Sequence, residues 1–184
     1  AICASIPEDQ ALPVARLLHA AALEGSQRRE EAAAQLVDPT TGSTAFGSPG
    51  AVALRALSEP ESENAADPPP LSVDEIALAE GLRARPDALR SFLHAVALQA
   101  AELHGCAYAV FADAASALGN PVALLSYQFA SLAQAHGQTD PKAEAQRLMA
   151  PHANHAQAWM ALSTFLGGLG DADGARDAVR QATE

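Results

Sequence analysis

Residues 158–182 read AWMALSTFLGGLGDADGARDAVRQA. Trp159, Leu162 and Leu166 return at steps of three and four residues, and after Gly170 so do Ala175, Val179 and Ala182. That step lines one face of a helix with apolar side chains. A glycine between two such runs ends the first helix, because it enters left-handed backbone space at no steric cost. The segment is therefore a helical hairpin. A lone hairpin leaves its apolar face in water, so units of this kind are covered by stacking on neighbours.

The rest of the chain is made of matching material. Alanine supplies 45 of 184 residues. It is the best helix former and a poor core filler, so the helices must pack closely. No run of alternating β-branched residues appears, which argues against a sheet. At 49% hydrophobic and 18% charged the chain can bury a real core, and its length suits one domain or one domain with an arm. The expected class is all-α.

The net charge of −11 argues against partners held by phosphate contacts. Residues 1–90 carry 14 acids and 7 bases, and residues 91–184 carry 8 acids and 4 bases, so neither half favours nucleic acid or an anionic membrane. Segments 114–139 and 148–170 lack Asp, Glu, Lys and Arg, but Pro or Gly and polar residues break them into pieces too short to span a bilayer. Both read as buried soluble helices. Cys3 and Cys106 form no metal-ligand spacing; they are either one long-range disulfide or two idle thiols. Ten arginines stand against the single Lys142, a skew compatible with a GC-rich, bacterial coding genome. The chain opens at Ala1, a start that removal of a leader would also leave, so the compartment of a soluble protein stays open between cytoplasm and periplasm. Its oligomeric state is open.

Three parts follow from the punctuation. Residues 1–57 form a less regular helical arm: helices are expected over about 9–24 and on to Val37, turns over 38–50, and two helical turns in AVALRALS. Residues 58–70, SEPESENAADPPP, form an acidic, proline-rich linker or loop. Residues 71–184 form a regular domain. It opens with SVDE, where Ser72 and Glu75 make a capping box, and continues at Pro86. Helix ends are expected at His104-Gly105, Gly119-Asn120-Pro121, His136-Gly137 and Gly170, with a start at Asp140-Pro141. Gly105, Gly137 and Gly170 are spaced by 32 and 33 residues, the period of a stacked helical repeat.

The last unit resembles a tetratricopeptide repeat. With Ala156 first, Trp159 takes the large fourth position, Leu162 the seventh and Ser163 the small eighth; Gly170 lies at the turn, Ala175 at the helix crossing and Val179 where Phe is common. The earlier units are weaker: Ser126 and Lys142 replace a large and a small residue around Phe129, and His94, Ala97, Leu98 and Val110 match loosely. The resemblance covers residues 87–184, with 151–184 the clearest. It implies antiparallel hairpins stacked as a right-handed superhelix with a concave binding groove. The groove positions of such repeats fall on Phe92, Ala95, Gln99 and Glu102, on Leu124, Tyr127, Ser131 and Gln134, and on Gln157, Met160, Thr164 and Gly167. They are apolar or amide-bearing and lack the Lys and Asn that clamp a terminal carboxylate in chaperone-binding members. The implied partner is another protein, offering an apolar peptide or helix.

No motif argues for catalysis, and no cofactor is expected. GGLG at 167–170 follows a helix, so it is no phosphate loop; DADG at 171–174 lacks the later ligands of a calcium loop. His152-x-x-His155 is the nearest approach to a metal site, with no cysteine or acid at ligand spacing. The alternative function is a small-molecule-binding or enzymatic α-bundle, with a pocket around His104, His136, His152 and His155.

Overall fold

A computed structural model of the chain describes residues 8–38, 43, 44, 46–58, 70–135 and 140–183. Among them are ten α-helices: α1 Glu8–Gly25, α2 Arg29–Gln35, α3 Gly47–Leu57, α4 Val73–Ala84, α5 Pro86–Ala100, α6 His104–Ala117, α7 Ala123–Gln134, α8 Pro141–Met149, α9 Ala156–Gly168 and α10 Ala172–Thr183. One 3-10 turn, Ala150–His152, leads from α8 towards α9. The only β pairing among the described residues is an isolated antiparallel bridge between Val37 and Thr44. The all-α class holds.

Several starts follow the sequence closely. Ser72 accepts from the Glu75 amide while the Glu75 carboxylate accepts from the Ser72 amide, a complete capping box for α4. Pro86 and Pro141 each open a helix, where a missing N–H costs nothing, and Asp140 caps α8. The turn residues expected over 38–50 reach less far, because α3 already begins at Gly47. Gly50 is needed there: a Cβ on it would lie 2.8 Å from the Phe46 Cβ.

Four helices end the same way. The second residue after the helix takes a left-handed φ, and the next amide reaches back five residues: Arg28 to Leu23 O, Leu103 to Leu98 O, Asn120 to Ala115 O and Asp171 to Leu166 O. The left-handed residues are Gln27, Glu102, Gly119 and Gly170. This revises one expectation. Gly105 is not a hinge; Glu102 turns the chain, and His104-Gly105 lies in the first turn of α6. Gly137 and His136 lie outside the described residues, as do Cys3 and residues 59–69 of the expected linker.

In space α1, α5, α6, α7, α9 and α10 form a series, each packed on the next. α2 lies on α1, α3 on α4, and α4 touches α5 and α7, while α8 flanks α7 and α9. The core has two clusters. One joins Val14, Leu17 and Leu36 to Val52, Leu57, Leu78, Leu89, Phe92 and Phe111. The other holds Leu125, Phe129, Met149, Ala158, Leu162 and Phe165. α7 is the shared wall, giving Leu124 and Tyr127 to the first and Leu125, Phe129 and Leu132 to the second. The N-terminal arm is thus no appendage, since its helices close the same core as α4–α7.

Candidate functional site

The expected groove residues separate into two groups. Phe92, Leu124, Tyr127 and Ser131 are buried, at 0%, 0%, 8% and 0% exposure, and Ala95 is buried with them. This corrects the expectation that they line an open groove. The reason is aromatic packing: the Tyr127 ring lies 5.6 Å from Phe92 and 5.8 Å from Phe111, and Phe92 meets Phe111 edge-on at 5.8 Å. Ser131 accepts a hydrogen bond from the half-buried Gln99 amide at 3.3 Å. Glu102, Gln134, Gln157, Met160, Thr164 and Gly167 are exposed. Glu102 sits at the turn after α5 with φ +58.

On α9 the exposed residues Gln157, Met160, Thr164 and Gly167 recur at helical steps, so they form one strip. Met160 is 49% exposed. On α7 the exposed residues are Ser126, Ala130 and Gln134, again one strip. Neither helix carries a charged residue. Trp159 is only partly buried, less than the repeat spacing implied; its indole N–H donates to Ala153 O at 2.7 Å and fixes the loop before α9. Val179, at the position where the repeat carries Phe, is 41% exposed, while its neighbour Ala178 is buried.

Sequence spacing gave no hint of the polar junction under α3. Ser48 hydrogen-bonds the Glu75 carboxylate and stands 3.0 Å from the Tyr127 hydroxyl, which donates to Glu75 at 3.4 Å. Burial pushes the Glu75 carboxyl up, but donors from Ser48, Ser72 and Tyr127 outweigh it and hold it below the usual range. Burial, with the nearby Glu75 charge, pushes Tyr127 up to about 12 despite its contact with Ser48. A serine beside a carboxylate invites a nucleophilic reading, but an acid so stabilised as its anion is a poor base for a hydroxyl. The junction ties α3, α4 and α7 together. Its members are 27 to 79 residues apart, beyond the reach of any local pattern.

A second polar tie joins α6 to α8. The Tyr108 hydroxyl donates to Glu144, and Arg147 grips both oxygens of that carboxylate at 2.6 and 2.9 Å. Arg147 chiefly, helped by Tyr108, holds Glu144 at about 2 against the opposing effect of burial. Burial and the hydrogen bond to Glu144 raise Tyr108 to about 12.

Of the histidines, His152 is buried and His155 exposed, with ring centroids 5.9 Å apart. His104 is half-buried, and its Nδ1 is enclosed without a hydrogen-bond partner. No group of three or more His, Cys, Asp or Glu among the described residues gathers closely enough to share a metal ion. No helix among them is long and apolar enough to cross a membrane. The chain matches no family model, no curated protein and no solved structure.

Proposed function

We propose that the chain is a non-catalytic protein-interaction scaffold. In this reading the hairpins of residues 71–184 stack as a right-handed superhelix of tetratricopeptide type. The partner, an apolar peptide or helix of another protein, lies along the outer strips of α7 and α9. One observation carries the reading: in a chain with net charge −11, the exposed strip Gln157, Met160, Thr164 and Gly167 belongs to a stretch, 148–170, with no charged side chain. A solvated helix face is ordinarily charged, and depletion of charge marks the centre of protein interfaces. Met160 supplies a pliable apolar anchor, and Gly167 lets a partner backbone approach closely. Gln134 and Thr164 offer hydrogen bonds at the rim.

The groove so drawn is smaller than the repeat numbering implies. It keeps Gln134, Met160 and Thr164 and yields Phe92, Leu124, Tyr127 and Ser131 to the core. Affinity capture from the native source with the wild-type chain and with Met160→Arg tests it. A protein retained by wild type should be lost with Met160→Arg while the thermal midpoint stays put. Equal retention by both chains would remove α9 from the interface.

A further inference from the structure

The 3-10 turn before α9 brings two imidazoles side by side. The His155 amide donates to His152 O at 2.9 Å and closes the turn, which sets both side chains on one short loop. Their ring centroids stand 5.9 Å apart, with the planes inclined at 61°. Among the described residues neither imidazole has an ion pair or a side-chain hydrogen bond to occupy its nitrogens. The loop is held from behind, because the indole of Trp159 donates to Ala153 O at 2.7 Å.

We propose that His152 and His155 form a two-imidazole site for a divalent transition-metal cation of the zinc, nickel or copper class. Metal–nitrogen bonds of about 2.0–2.1 Å place the centroids of two imidazoles on a tetrahedral ion roughly 5 Å apart. The observed separation exceeds that by less than about 1 Å, within reach of a rotation of the exposed His155 side chain towards the buried His152. Imidazole donors select this class over calcium and magnesium, which prefer oxygen. Two protein ligands leave the remaining coordination positions to water or to a donor from a bound partner.

Calorimetric titration of the purified chain with Zn2+, and separately with Mg2+, tests the site. Wild type should take up one Zn2+ and give no heat with Mg2+. His155→Ala, at an exposed position, should weaken Zn2+ binding by about tenfold or more with an unchanged melt. His152→Ala should do the same, and its circular dichroism separates lost binding from lost folding. His94→Ala, on the exposed side of α5, should bind as wild type. Zn2+ binding that survives His155→Ala undiminished, or no Zn2+ uptake by wild type, would overturn the proposal.

Discussion

Tyr127 serves two structures at once: its ring completes the aromatic contact with Phe92 and Phe111, and its hydroxyl meets Ser48 and Glu75. Tyr127→Phe keeps the ring and should lose about 1–2 kcal/mol of stability in a denaturant melt, the usual effect of breaking a partly buried hydrogen-bond junction. A loss near zero would mean that water replaces the phenol. The two phenols also make an alkaline limb. Tyr108 and Tyr127 are pushed up to about 12 in the fold, from the 10.0 of an unperturbed tyrosine. The folded state therefore holds the phenol proton more tightly, so the stability they lend is complete below pH 10 and is lost as pH rises towards about 12. Thermal midpoints measured across that range should fall less steeply for a chain carrying Tyr108→Phe and Tyr127→Phe. At this scale the sequence marks the small set of aromatics as important without separating core from surface. Repeat numbering puts Tyr127 and Met160 at the same fifth position, yet one is buried and the other open, because α7 has core on two sides and α9 leaves a side free.

Helix ends divide into those written locally and those decided by packing. The capping box at Ser72, the prolines opening α5 and α8, and the glycine stops at Gly119 and Gly170 are legible because short-range sterics and hydrogen bonds determine them. Gln27 and Glu102 make the same left-handed turn with side chains that ordinarily avoid it, so nothing in the local sequence announces them. That is why Gly105 read as a hinge and is helical. A pair of substitutions separates the two kinds of glycine. Gly170→Ala should destabilise by about 1 kcal/mol or more, because φ +79 strains any Cβ although space is open. Gly105→Ala, with nothing near the added methyl, should stabilise by roughly 0.4–1 kcal/mol. Thermal melts of both chains give the answer, and equal losses would restore Gly105 as a turn.

For the whole molecule, composition already carries the all-α class, since an alanine-rich chain without alternating patterns has little else to build. What it could not carry is that α1, α2 and α3 finish the core of α4–α7, because the contacts of Leu17, Val52 and Leu57 cross long sequence separations. A chain beginning at Leu71 would expose Leu89, Phe92 and Phe111, and its circular dichroism melt should be broad or absent where the full chain melts cooperatively. A sharp melt would make residues 1–57 an ornament. The functional account rests on the neutral outer strips of α7 and α9. Amide hydrogen exchange of the full chain, alone and saturated with a captured partner, tests it most directly. Exchange should slow across residues 123–134 and 156–168 on binding; protection confined to α1, α4 or α10, with α7 and α9 unchanged, would contradict the account.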